Sequence, residues 1–198
     1  MKKIKKNNGF TLVEVLIYMT ILTILFTAVI NGLDRRREQQ DFAIQKRNIS
    51  QFIRKIQQYS QYNRKKYILD FRISENTVYF IDDENGKEII IDRMPISRNI
   101  SYMTNNKDKN KDFTRNTTVE GNFEKGFSIY LLNRKGKKIY YRISTNTINA
   151  AKYPIISIYR AKVPIDISED YLKSALWEED QVILNKDAQE IKDNWIEA

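Results

Sequence analysis

GFTLVEVLIYMTILTILF, Gly9 to Phe26, decides how this chain is read. It begins a 24-residue apolar run from Phe10 to Leu33. At about 1.5 Å per residue, a helix of that length crosses a hydrocarbon layer of roughly 30 Å. Thr20, Thr23 and Thr27 do not prevent this, because their hydroxyls can bond back to carbonyls one turn earlier. Glu14 is the only clear interruption, and a carboxylate is expensive in a bilayer. Lys2, Lys3, Lys5 and Lys6 precede the run, which predicts a cytoplasmic N-terminus and an exported remainder. Arg35, Arg36 and Arg37 follow it and weaken that bias. The run is longer than the core of a cleavable secretory signal, and no A-x-A site follows it. A plain signal anchor accounts for the lysines and the apolar run, but not for Gly9, Phe10 and Glu14.

Those three residues, within GFTLVEVL behind a short lysine-rich leader, resemble the class III signal of type IV prepilins and pseudopilins. The resemblance covers residues 1 to about 33 and continues loosely along the following helix. It implies cleavage by a prepilin peptidase between Gly9 and Phe10, followed by N-methylation of Phe10. Glycine suits a protease that needs a small, conformationally free residue before the scissile bond. It further implies a subunit held in the inner membrane, with its leader in the cytoplasm and its C-terminal domain exported. Such a subunit passes through an assembly platform into a periplasmic or cell-surface filament. The expected function is that of a minor pilin or pseudopilin of a type IV pilus, a type II secretion-like system or a competence system. No enzyme activity and no cofactor are expected.

Glu14 has a physical role in that reading. Cleavage creates an amine on Phe10, four residues and about one turn away on the same helical face. The positive end of the helix dipole also favours an anion there. In a filament of parallel helices staggered by a turn, Glu14 can pair with a neighbour's amine and fix the register. Phe10 and Glu14 are therefore the candidate assembly residues. Many major pilins carry a proline partway along this helix. Residues 10–60 contain none, and Gly32 is the only helix-weakening residue near that region.

The expected fold is α+β: a long N-terminal membrane-spanning helix packed on an antiparallel β-sheet, with a helical C-terminal extension. The divisions are a leader at 1–9, a transmembrane helix at 10–33 and an amphipathic continuation at 34–65. A sheet domain at 66–163 and an acidic extension at 164–198 complete the chain. Phe42, Ile49, Phe52, Ile53, Ile56 and Tyr59 form one stripe at helical spacing, with Arg47, Arg54 and Lys55 among the polar positions. TVYFID (Thr77–Asp82) and KEIIID (Lys87–Asp92) flank Asn85-Gly86, which suits a type I′ hairpin. FSIYLL (Phe127–Leu132) and KKIYYRI (Lys137–Ile143) read as a second hairpin, and IISIYR (Ile155–Arg160) as a further strand. Thr104–Thr118 is too polar to bury and reads as a loop. Ser168 looks like a helix cap, and Asp187 like a cap for a final short helix reaching Trp195. Val182–Leu184 reads equally as strand or helix.

Charge is unevenly placed. The net charge is +9, and without the four leader lysines the balance is 30 basic against 25 acidic side chains. Asp34–Arg72 carries eleven basic and four acidic residues, whereas Asp166–Ala198 carries three and ten. The two stretches can attract each other within or between subunits. Cys and His are absent, which removes disulfides, thiolates, imidazole bases and the usual zinc or haem ligands. Asp82, Asp83 and Glu84 offer oxygen ligands for calcium but straddle a turn, where acids also serve the backbone. No metal site is assigned. Arg134, Lys135, Lys137 and Lys138, beside Tyr140 and Tyr141, form a candidate DNA or anion contact. Lys107, Lys109, Lys111 and Arg115 add charge on the polar loop. Two alternatives to the filament subunit remain. One is a signal-anchored surface protein with a ligand-binding sheet, and the other a DNA-receptor pilin.

Overall fold

The computed structural model describes residues 11–84, 86–104, 112–145, 156–167 and 195–198. Helix α1 runs from Leu12 to Asn63. Nine strands follow: β1 (Ile68–Arg72), β2 (Thr77–Glu84), β3 (Lys87–Pro95), β4 (Ser101–Thr104), β5 (Phe113–Asn116), β6 (Phe127–Leu132), β7 (Lys138–Thr145), β8 (Ile156–Asp166) and β9 (Trp195–Glu197). The chain divides into two units, Met1–Gln39 and Gln40–Ala198.

In the first unit the described side chains from Thr11 to Ile30 are all exposed. The helix contains a stretch of mean hydropathy 2.3, long and apolar enough to cross a membrane. Thr20, Thr23 and Thr27 each donate a 2.8 Å hydrogen bond to the carbonyl of Leu16, Met19 and Thr23 respectively. Their hydroxyls are thus satisfied inside the helix.

In the second unit the predicted stripe is the buried face of α1. Phe42, Ile49, Phe52, Ile53 and Ile56 join one apolar cluster with Leu69, Phe71 and Phe80, and with Ile129, Leu131 and Ile143. Tyr59, the last predicted member, is half-exposed, and its ring meets Phe80 edge-on at 5.4 Å. The helix stops two residues short of the expected boundary at 65. Arg64 takes a positive φ of 50°, and the Lys65 N–H reaches back to the Ser60 carbonyl at 3.3 Å. That six-to-one bond closes a Schellman-type end, with arginine where glycine is usual.

The strands form two antiparallel sheets where one was expected. Their orders are β3-β2-β1-β5 and β4-β6-β7-β8-β9. The chain alternates between them, since β4 joins the second sheet and β5 returns to the first. Phe71 and Phe113 stack at 5.5 Å on neighbouring strands of the first sheet, and Phe113 meets Phe127 of the second sheet at 5.3 Å, with the loop residue Phe123 5.0 Å from Phe127. Strand β6 is buried throughout because its two faces serve different clusters. Ile129 and Leu131 face the main core, while Tyr130 and Leu132 join Met103 and Ile139.

Both predicted hairpins form. Glu84 pairs with Lys87 across a two-residue connection, in which Gly86 has a φ of 80°; Asn85 lies outside the described residues. In the second hairpin the side chain of Asn133 accepts the N–H groups of Lys137 and Lys138 at 2.8 and 3.1 Å, and Gly136 supplies a φ of 66°. Strand β8 pairs with β7 as expected, but it extends to Asp166. Residues 164–166 therefore continue the sheet rather than open a helical extension. Trp195 lies in strand β9, paired with β8, rather than at the end of a helix. Ser168 and Asp187, with the rest of 168–194, lie outside the described residues. Within the expected polar loop, Phe113 is 4% exposed and begins β5; 105–111 lie outside the described residues.

Gly121 lies in a loop that packs tightly against α1. It has a φ of 83°, and a Cβ there would lie 2.5 Å from the Gln57 carbonyl oxygen and 2.6 Å from the Gln61 side chain. The connection anchors nearby, where Ser60 and Thr117 share a hydroxyl–hydroxyl bond and Thr117 Oγ1 accepts the Tyr67 N–H at 2.8 Å. Gly121→Ala should lower unfolding stability by about 2–3 kcal/mol, combining a left-handed backbone with a steric clash. Gly86→Ala, with open space around it, should cost only about 1 kcal/mol. Urea unfolding of the two variants in detergent checks the difference.

Candidate functional site

Glu14 sits at the third helical position, where helix geometry leaves main-chain N–H groups without partners. Thr11 precedes the first helical residue, and its carbonyl accepts the Val15 N–H at 3.2 Å. Glu14 Oε2 accepts the Thr11 N–H at 2.8 Å and the Thr11 hydroxyl at 3.0 Å. The Thr11 hydroxyl oxygen in turn accepts the Glu14 N–H at 3.3 Å. This reciprocal pair is a capping box, and its signature, Thr11 followed three residues later by Glu14, is present in the sequence. The acid therefore has local donors before any neighbour arrives. Thr11 is not among the sequence-predicted candidates, although its spacing from Glu14 carries the cap's signature. Gly9 and Phe10 lie outside the described residues.

The sequence-predicted cations Arg134, Lys135, Lys137 and Lys138 lie at the tip of the second hairpin. Lys138 Nζ lies 3.6 Å from Asp166. The Arg134 carbonyl accepts the Ser101 hydroxyl at 3.2 Å. Lys135 lines a cavity with Arg98. Tyr140 and Tyr141 are committed to the core edge, 4.8 and 5.7 Å from the Phe42 ring. Lys46 sits over the Tyr141 ring at 5.1 Å.

The acidic cluster is also engaged. Lys65 Nζ lies 2.7 Å from Asp82 and 3.3 Å from Glu84. The hydrogen bond to Asp82 holds the lysine above its ordinary pKa. Asp83 accepts the Gly86 N–H at 2.9 Å, which is the turn role. Among the described residues, no group of three acids is arranged to hold a metal ion.

Residues 4–30 match the family described as the prokaryotic N-terminal methylation motif. No curated protein and no solved structure matches the chain. The match establishes a type IV prepilin-like class III signal at the N-terminus. It implies processing by prepilin peptidase and assembly with other pilin subunits, and the family it defines is structural rather than enzymatic. With the apolar helix behind it, the motif indicates a membrane anchor.

Two predictions follow from these side chains. Thr11→Val should remove the hydroxyl half of the cap and weaken the first turn by about 1 kcal/mol. Faster amide exchange at Val13 and Glu14, with Thr11→Ser near the parent, is the expected pattern in detergent-solubilised protein. The second prediction concerns acid. Hydrogen bonds from Lys55 to Asp92, from Tyr79 and Arg72 to Glu75, and from Lys66 to Glu124 hold these carboxylates below their usual range. Their stabilisation is complete above the unfolded carboxylate range near pH 4 and is lost as pH falls through the folded values. The urea midpoint should be nearly flat from about pH 5 to 8 and fall below about pH 4.

Proposed function

We propose that this chain, carrying a prepilin-type methylation signal, is a minor pilin or pseudopilin. It is a non-enzymatic subunit, cut between Gly9 and Phe10, methylated at Phe10 and built into a type IV pilus-like filament through its N-terminal helix. The observation that carries the reading is the methylation motif at residues 4–30, with Glu14 at the third position of the apolar helix.

The chemistry of assembly follows from charge in a medium of low dielectric constant. In the separate subunit, Glu14 is solvated by the Thr11 hydroxyl and N–H. In the filament, the methylated amine of a neighbouring Phe10 offers a full positive charge. The bonds from Thr11 are already charge-assisted by the carboxylate, and the amine adds a full opposing charge to them. Neighbours set at the wrong axial step leave both charges unpaired, which is costly away from water. The sheet domain then lies outside the membrane, where its surface meets other subunits or the filament's cargo.

Expression with a prepilin peptidase and the assembly platform tests this directly. Intact-mass measurement should find a mature chain beginning at singly methylated Phe10, and sheared filaments should contain it. Gly9→Val should leave the leader attached and keep the protein out of filaments. A wild-type chain that retains residues 1–9 in the presence of active peptidase contradicts the proposal and favours a signal-anchored surface protein.

A further inference from the structure

A cavity of about 720 Å³ opens beside the second hairpin. Ile100, Met103, Leu132 and Ile167 give it apolar walls, and Arg98 and Lys135 line it as cations. Neither cation has an ion-pair partner among the described residues. Its volume is that of a ligand site, and its chemistry fits a short segment that is both acidic and apolar. Tyr102, the aromatic residue among those lining it, is buried in the core and offers no open face to a base.

We infer that the occupant is the acidic stretch of this same chain that begins after Ile167. Residues 168–194 carry eight acidic and three basic side chains, with Leu172, Leu176 and Trp177 among them. Both ends of the stretch are fixed at the apolar cluster beneath the cavity. The Ile167 N–H donates to the Lys137 carbonyl at 3.0 Å, and the Ile167 side chain is itself part of the cavity wall. Trp195, where the chain returns, pairs with Ala161 and packs against the cluster of Met103, Tyr130, Leu132 and Ile139. A segment tethered at both ends meets a neighbouring site at an effective concentration in the millimolar range, so a weak charge match suffices. The acids at 169–170 and 178–180 lie on either side of Leu172, Leu176 and Trp177, with Lys173 as the one basic residue between them. That pattern complements cations set among apolar walls. This inference stands independently of the filament reading.

The chain has no cysteine, so a Ser101→Cys/Leu176→Cys pair in the full-length protein in detergent can be joined by a short bis-maleimide. Mixed light and heavy isotope preparations separate links within a chain from links between chains. The expected result is a link within one chain, about fivefold stronger than with Thr114→Cys/Leu176→Cys on the other sheet. It should weaken at least threefold in Arg98→Glu/Lys135→Glu or when salt is raised from about 50 to 500 mM. Urea unfolding confirms that the charge-reversed protein is folded. A yield that is equal at Ser101 and Thr114, or unmoved by charge reversal and salt, overturns the inference. So does a link formed mainly between light and heavy chains, which assigns the cavity to a second copy.

Discussion

A carboxylate at the start of an apolar helix must be given donors, and the N-terminal unit is shaped by how that demand is met. Within one chain the donors are local: the N–H and hydroxyl of Thr11 close a reciprocal cap with Glu14. This arrangement satisfies orphan main-chain groups as well as the acid. It holds the carboxylate in the first turn of the helix, and a carboxylate costs less near a membrane interface than at the bilayer centre. A cap of two or three hydrogen bonds is also weak enough to be exchanged for an ion pair. The same residue can thus stabilise the free subunit and mark the register of an assembled one.

The second unit is organised by a different demand. The stripe from Phe42 to Ile56 has to be covered, and one sheet does not cover it. Two sheets do, with Phe113 and Phe127 meeting between them. Near the end of α1 and just past β5, the buried Ser60, Thr117 and the Tyr67 N–H each find a partner. Exposed ion pairs such as Lys55–Asp92 and Lys66–Glu124 decorate this frame and contribute modestly.

The sequence disclosed those parts whose physics is local. Helical spacing exposed the stripe, Asn85-Gly86 marked the first hairpin, and two apolar runs on either side of a short polar connection marked the second. Charge with an apolar run identified the N-terminal segment. Non-local choices stayed hidden. Nothing near Phe113 says that a lysine- and asparagine-rich stretch ends in a buried aromatic on an edge strand, because its partners Phe71 and Phe127 are distant in sequence. Ile68–Arg72 reads as a short mixed segment, yet it is an inner strand of its sheet, since β2 and β5 flank it. Lys138 pairs with Asp166, and Lys135 turns to a cavity shared with Arg98. The helix cap was legible as Thr11 and Glu14, three residues apart, but one residue type carried two readings and the costlier one dominated.

The most direct test of the central claim removes only the charge of Glu14. Glu14→Gln keeps the size of the side chain and an oxygen that can accept from Thr11, but it cannot form an ion pair. If the charge serves assembly, leader cleavage and Phe10 methylation should proceed normally, while incorporation into sheared filaments falls at least tenfold against the parent. Equal incorporation of Glu14→Gln and parent chains, measured side by side in one cell, would show that the carboxylate serves the helix cap alone.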